Sequence, residues 1–509
     1  MTQDQSYDVI VIGGGSAGAA AAARLSEDPK RQVLLLEAGP DPMPIPDSVA
    51  DGSQEVRAIL ESPYVMIYPA IRPADGSTYY KVSGRIMGGG SSVNAMAVVR
   101  PTKHDLDTWE ALGNPGWSYD DCLPVLKRIE SDQDYGDDPI HGTEGPLYVK
   151  RPYRLDMEPS EPVRAFIDRA VEMGMDMCPD LNVPDPLGVC GSAYNIKDGV
   201  RQSTTVAYLD PARGRPNLHI IAEAIVLSLS VADAHVDGVV YEKDGQAHSV
   251  SARRVVLSAG AYHSPQVLML SGIGPTNELE SLGITVTHPL EGVGENYQDH
   301  ATVQMTYEGR SDFHADWVVP RFRLMYKSDP SLGCGNFHLF MRPPIDVEGL
   351  DRMMPVSANL LEQRARGRVY LTSADPHALP ELEEKMLTDP EDIEAMVSAM
   401  RFLHELVSDE SMHAYYGDLL SPSPDEDWAE YAKTTHGTYQ HGAGTCMMGP
   451  ASDPMAVVDA TLKVYGIDNL YVADASVMPV VSHGNTNITA IMIGERVSDF
   501  IAEAEQASG

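Results

Sequence analysis

Between Asp8 and Glu37 the chain reads "DVIVIGGGSAGAAAAARLSEDPKRQVLLLE". Asp8 to Ile12 has the pattern of a buried strand, and Gly13, Gly15 and Gly18 form G-x-G-x-x-G at its end. An alanine-rich helix follows to about Leu25, and a second apolar strand closes on the acid Glu37, 19 residues after Gly18. This order of strand, glycine turn, helix, strand and acid is the dinucleotide fingerprint of a doubly wound α/β fold. The glycines let backbone N–H groups approach a pyrophosphate at the positive end of the helix. Glu37 can accept hydrogen bonds from the adenosine ribose hydroxyls. The fingerprint alone does not separate NAD from FAD.

Later segments complete the sheet that starts near residue 8. "RRVVLSAGAYHSPQVLMLSGIGP" is a strand, Val255 to Ser258, that enters Gly260 and then a helix, and "NLYVADASVMP" is a strand ending in Asp474. No second glycine fingerprint occurs, so a separate NAD domain is not expected. An interrupted nucleotide-binding domain holding an inserted second domain is the economical organisation. "GRIMGGGSSVNAMAVVR" (84–100) and "GVGENYQDHA" (292–301) are loops by composition. Three consecutive glycines beside Ser91, Ser92 and Asn94 suit a backbone that lies against a ligand. From about 307 to 430, "FRLMYKSD" and "GRVYLTSADP" read as strands and "PEDIEAMVSAMRFLHELV" as a helix, giving a strand-rich layer with packed helices.

With 37 basic and 74 acidic residues the net charge is −37. Such a surface repels phosphate backbones and anionic lipid, which argues against nucleic-acid and membrane partners. No apolar run reaches membrane-spanning length, and "MTQDQSYDVI" carries no basic leader segment. The five cysteines, Cys122, Cys178, Cys190, Cys334 and Cys446, are scattered without CxxC spacing. That argues for reduced thiols in a cytoplasmic protein, and against a disulfide framework or a zinc site.

Taken together these motifs resemble the glucose–methanol–choline (GMC) oxidoreductases, FAD-dependent alcohol oxidases and dehydrogenases. The likeness runs through the fingerprint, "GRIMGGGSSVNAM", "TWEALGNPGWSYDDCLPVLKRIE", "VVLSAGAYHSPQVLMLSGIGP", "GVGENYQDH", "RGRVYLTSADP" and "HGAGTCMMGP" with the segment that follows it. It implies an α/β fold: a Rossmann-like FAD-binding domain (1–155, 195–306, 450–509) with an interleaved α+β substrate domain (156–194, 307–449) built on an antiparallel sheet. For the cofactor it implies contacts from Gly13, Gly15, Ser16, Ala17, Gly18, Glu37 and Ala38. The second glycine loop would add Gly88, Gly89, Ser92, Asn94, Ala95 and Met96. Val226 would meet adenine, Ala259, Gly260, Asp474 and Ala475 the rest of the dinucleotide, and Asn485 and Thr486 the flavin end. FAD is expected to be non-covalent, because the position where choline-oxidising relatives carry the linking histidine is Val93, and the next histidine along the chain is His104.

The family's base falls on His441, three residues before Gly444-Thr445, and its partner on Asn485. Oxidation of an alcohol removes a hydroxyl proton and a hydride from the same carbon. An imidazole with an ordinary pKa near ~6.5 can take the proton, and FAD takes the hydride. Asn485 can hold the substrate oxygen without titrating. "TNITAIMIGERVSDFIAEA" reads as a helix whose N-terminus would favour negative charge on reduced flavin. Gln440 and His483 are candidate substrate contacts. His263 and His300 are expected to be structural, and Cys446, Met447 and Met448 to be packing.

Four activities are compatible with these residues: oxidation of a sugar, glycoside or polyol; oxidation of choline, pyridoxine or an aryl alcohol; cyanohydrin cleavage by a flavin-containing hydroxynitrile lyase; and non-catalytic flavin carriage. The His–Asn pair disfavours the last. Only 7 Phe and 4 Trp (Trp109, Trp117, Trp317, Trp428) are present, a poor supply for an aromatic cage around a quaternary ammonium. "SDFHADW" and "GCGNFHLF" supply hydrogen-bonding groups suited to a hydroxyl-rich ligand. The expectation is a sugar, glycoside or polyol oxidised by a monomer or small homo-oligomer. Oxygen or another acceptor would reoxidise the flavin.

Overall fold

A computed structural model describes residues 6–53, 57–152, 159–310, 322–346, 352–423 and 425–508. Val9, Ile10 and Val11 are wholly buried, as are Val33 and Leu35. Such continuous apolar runs belong in a parallel sheet covered on both faces. The sheet they form has seven strands. Leu218–Ile221, Val33–Leu36, Ser6–Ile12 and the end of Gln246–Leu257 run parallel, and Leu470–Val472 extends the same run. His235–Lys243 and Ile225–Ala232 continue it as antiparallel neighbours. The strand expected at Val255 to Ser258 is thus the end of a 12-residue strand closing at Leu257. Its first half, "QAHSVS", is largely exposed and pairs with an antiparallel neighbour, so no apolar run marks it.

The helix Ser16–Leu25 buries Ala19 to Ala23 and packs on the C-terminal helix Thr486–Ser508. The approach is close: a Cβ on Gly494 would stand 2.2 Å from the carbonyl oxygen of Ala17. Small side chains on both helices permit it.

A second sheet of eight strands carries its own core. Its order is Tyr416–Ser421, Ala301–Gly309, Met353–Leu360, Phe337–Met341, Phe322–Tyr326, Gly188–Gly191 and Met177–Cys178, with Gly437–Thr438 also paired to Ala301–Gly309. All its pairings are antiparallel except Met177–Cys178 with Gly188–Gly191. The helix Pro390–Val407 covers it with Met396, Ala399, Met400 and Leu403. "FRLMY" joins this sheet as expected. "GRVYLTSADP" does not: Arg368–Tyr370 pairs with Glu381–Glu383 in a two-stranded ribbon, and Gly367 bridges to Tyr297. Its one buried residue, Val369, joins Leu382 in a small separate core with Tyr68, Tyr262 and Tyr297 rather than the core of the second sheet. "SDFHADW" and Trp317 lie outside the described residues. No helix among the described residues is long and apolar enough to cross a membrane.

Candidate active site

A cavity of about 1380 Å³ is lined from both sheets. The fingerprint loop lines it through Gly13, Gly15, Ser16 and Ala17, the second strand through Glu37 and Ala38, and the antiparallel extension through Val226. The loop 84–100 adds Gly89, Val93, Asn94, Ala95 and Met96. Ala259, Gly260, Asp474, Ala475, Asn485 and Thr486 complete the predicted set on its wall.

These residues fit a dinucleotide. The first helix begins at Ser16 after Gly15, and no side chain caps it, so its first N–H groups are free for phosphate oxygens. Gly89, at φ +49°, faces Gly15 so closely that a Cβ on it would stand 2.8 Å from the Gly15 Cα. The two glycine loops therefore form a cradle that a side chain would fill. Glu37 is buried, and its two oxygens accept N–H groups of Gly14 and Gly39, each at 2.7 Å. Each oxygen keeps a lone pair for a ribose hydroxyl. Burial raises its pKa, and those two N–H groups oppose the rise.

Gly18, Gly88 and Ser92 support the cradle from behind rather than lining it. A Cβ on Gly18 would lie 1.9 Å from the Gly13 oxygen, the Gly88 N–H donates to the Gly14 oxygen at 2.7 Å, and the Ser92 hydroxyl donates to the Met87 oxygen at 2.8 Å. Asp474 accepts from Gly260 N (2.9 Å), the Ser264 hydroxyl (2.6 Å) and Ser476 N (2.8 Å). It holds the start of the helix Gly260–Leu270 against the sheet end. Arg201, absent from the sequence reading, clamps the loop 84–100: its Nη1 donates to the Asn94 carbonyl at 2.6 Å and the Asn94 side chain at 2.9 Å.

At the other end of the cavity, His441 Nε2 lies 3.2 Å from Asn485 Nδ2. Arg323 Nη1 donates to Asn485 Oδ1 at 3.3 Å, which orients the amide with its NH₂ toward His441. His441 Nε2 is then the acceptor, and the proton of neutral His441 sits on Nδ1. That nitrogen faces His300 Nδ1 at 2.8 Å. Burial lowers the His441 pKa to about 4, with Asp299 opposing and Arg323 adding to the drop. The imidazole is a neutral base at neutral pH, more displaced from the ordinary value than its sequence suggests.

Beneath the two histidines lies a buried ionic group that sequence inspection did not reveal. Asp299 Oδ1 accepts the backbone N–H of His300 (2.7 Å) and of His441 (2.8 Å). Its Oδ2 accepts from the Thr438 hydroxyl and Lys81 Nζ, each at 2.6 Å. Lys81 also meets Glu384 at 2.7 Å and the Tyr297 hydroxyl at 2.7 Å. Asp299 and Lys81 are separated by 218 residues, so nothing local marks their pairing.

The remaining candidates divide. Gln440 lines the cavity, and its Oε1 accepts the Val82 N–H at 2.9 Å. His483 is off the cavity wall, bound through Nδ1 to Asp105 at 2.5 Å. The Asp105 carboxylate at the first turn of the helix Lys103–Ala111 draws it away. His263 lines the cavity between the Tyr68 hydroxyl (2.6 Å) and Gln266 (2.5 Å). Cys446 and Met448 are buried in the first core, with Met447 partly exposed between them.

Known proteins resemble this chain over nearly its whole length. The GMC oxidoreductase N-terminal model matches residues 7–302 and the C-terminal model residues 363–494. Choline oxidase of Arthrobacter globiformis is 35% identical over 533 residues, spanning 98% of this chain and 95% of that protein. The oxygen-dependent choline dehydrogenase of Staphylococcus xylosus is 33% identical over 548 residues, again 98% and 95%. The crystal structure of pyridoxine 4-oxidase from Mesorbium loti superposes with a TM-score of 0.91 at 28% identity, covering 98% of this chain and 99% of that one. The chain belongs to the GMC oxidoreductases and is an FAD-dependent alcohol oxidoreductase.

Proposed function

We propose that His441 is the base that takes the hydroxyl proton of the substrate and that Asn485 holds the same oxygen. The observation that carries this is the position of His441, on the cavity wall with Nε2 3.2 Å from the Asn485 NH₂, an amide that Arg323 orients through its Oδ1. That contact is at the long end for a hydrogen bond. A substrate hydroxyl can replace it by donating to Nε2 and accepting from Asn485 Nδ2. As the proton arrives, His441 Nδ1–H donates to neutral His300, and the Asp299 carboxylate nearby offsets the new positive charge. FAD, when bound, supplies the acceptor for the hydride.

The substrate we infer is an oxygen-rich alcohol, uncharged or anionic: a sugar, glycoside or polyol. Arg323 and Arg342 both line the cavity, and neither guanidinium meets a carboxylate within 4 Å among the described residues. Two such cations repel a quaternary ammonium, and they hydrogen-bond hydroxyl or carboxylate oxygens. A second reading is a heteroaromatic alcohol. Phe340 and Tyr439 also line the cavity with ring centroids 6.3 Å apart, and Tyr439 lies 4.7 Å from the His441 ring.

A panel of sugars, glycosides, choline, pyridoxine and benzylic alcohols, scored by anaerobic flavin bleaching and then by oxygen uptake, tests both readings. Sugars or glycosides bleaching fastest supports the first and pyridoxine or a benzylic alcohol the second. Choline as the best substrate overturns the electrostatic argument.

A further inference from the structure

His104, Cys334, Glu362 and His483 come from four separated segments and converge off the cavity wall, at the turn that leads into Asn485. One ligand atom each of His104, Cys334 and Glu362 lies within 4.8 Å of the others. His483 Nε2 stands 3.5 Å from Cys334 Sγ and 3.5 Å from Glu362 Oε2. The His104 and His483 rings are 5.6 Å apart and nearly perpendicular, at 82°. Charged N–H···O hydrogen bonds close to ~2.7–2.9 Å, so the Glu362 contact is too long to be one. It has instead the length of an edge of a coordination tetrahedron. Zinc with Zn–S of ~2.3 Å and Zn–N or Zn–O of ~2.0–2.1 Å places its ligand atoms ~3.3–3.6 Å apart.

The outer contacts have the same character. His483 Nδ1 meets Asp105 Oδ1 at 2.5 Å, which turns Nε2 toward Cys334 and Glu362. A histidine that binds metal commonly donates its other N–H to a carboxylate. Asp105 is itself held by the N–H of Thr102 (2.7 Å) and the N–H of His483 (3.0 Å). Elsewhere Glu130, Asp132 and His141 also cluster, but Arg100 pairs with Glu130 and Arg151 with Asp132. Guanidinium groups fill that second cluster, whereas among the described residues no lysine or arginine forms an ion pair with His104, Cys334, Glu362 or His483.

We propose that His104, Cys334 and Glu362 bind one zinc ion, and that His483 Nε2, beside Cys334 and Glu362, closes on it as the fourth ligand of a structural site. Cys334 loses its thiol proton to solvent on binding, and both imidazoles ligate neutral. The ion ties the turn before Asn485 to the helix Lys103–Ala111 and to the second sheet. Glu362, exposed at 43%, is where the ion enters.

The test uses the FAD-loaded full chain, stripped with a chelator, then given zinc and passed through a desalting column for elemental analysis. About one zinc per chain is expected. Cobalt in its place is expected to give tetrahedral bands to the red of the flavin absorption. Cys334→Ser is expected to abolish both signals. Glu362→Gln changes an exposed residue and keeps the fold, and is expected to weaken zinc binding at least ~10-fold. No zinc retained by the wild type overturns the site, as does equal retention in both variants.

Discussion

His300 Nδ1 and His441 Nδ1 lie 2.8 Å apart, with both imidazoles buried. Only one of the two nitrogens can carry the proton between them. Asn485 on the far side of His441 assigns it to His441, so His300 is the acceptor that fixes the tautomer of the proposed base. Burial, and the neighbouring His441, hold the His300 pKa well below the ordinary value, which keeps that acceptor neutral.

Replacing His300 with leucine removes the acceptor while leaving the cavity wall intact. Flavin content is expected to stay near wild type and the rate of anaerobic flavin reduction to fall roughly 10- to 100-fold, part of the ~10²–10⁴ that a positioned base contributes. His300→Asn offers an oxygen close to the Nδ1 position and is expected to recover much of the rate. Equal losses in the two variants would show that His300 only packs.

The acid side of the pH profile reports the base. A His441 pKa lowered to about 4 leaves the imidazole unprotonated from pH 7 down to pH 5, so kcat/KM is expected to change little over that interval. Arg323 adds to the lowering, after burial, so removing its charge raises the pKa. Arg323→Gln is therefore expected to lose more of its kcat/KM between pH 7 and pH 5 than the wild type does. An acid limb near pH 6.5 in the wild type would contradict the burial argument.

Lys81 pairs with both Asp299 and Glu384, all three buried. Lys81→Met leaves two carboxylates without it and is expected to cost about 3–5 kcal/mol, the usual effect of breaking a buried pair from one side. A thermal melt of the FAD-loaded protein measures the loss. Adding Glu384→Gln to Lys81→Met is expected to restore part of the midpoint, and a further drop would show that Glu384 is not the uncompensated charge.

Retention of FAD should rest on burial and hydrogen bonds alone, since Val93 on the cavity wall has no nucleophilic atom. Acid precipitation is expected to leave a yellow supernatant and a colourless pellet. Glu37→Ala is expected to weaken FAD retention and also to loosen the loops at Gly14 and Gly39. The rate of flavin reduction in the fully reloaded variant should be unchanged. Flavin fluorescence following the denatured chain on a gel would refute the first expectation, and slow reduction in a variant that retains FAD normally the second.

The glycine fingerprint, the alanine-rich helix and the strand ending before Glu37 are local properties. Chain stereochemistry and apolar periodicity produce them within 30 residues, so they are legible in one dimension. The alternative homes of "GRVYL" and of "QAHSVS" were not, because pairing with a sheet or a ribbon depends on which partner edges the rest of the chain supplies. The site shows the same division. His441 and Asn485 stand out through residue type and flanking glycines. His300, Asp299, Lys81 and Arg323 are single polar residues in unremarkable surroundings, and each acquires its meaning from a partner brought close only by the tertiary fold: 141 residues away for His300 and His441, 162 for Arg323 and Asn485. His483 makes the contrast sharpest. Two residues before Asn485, it reads as a substrate contact, yet the backbone turn and the Asp105 carboxylate direct its imidazole to Cys334 and Glu362 instead. A side chain's direction and electrostatic surroundings are set by neighbours distant in sequence. The residue types along this chain therefore determined the chemistry available to it, while the packing of the two sheets decided which groups meet at the cavity.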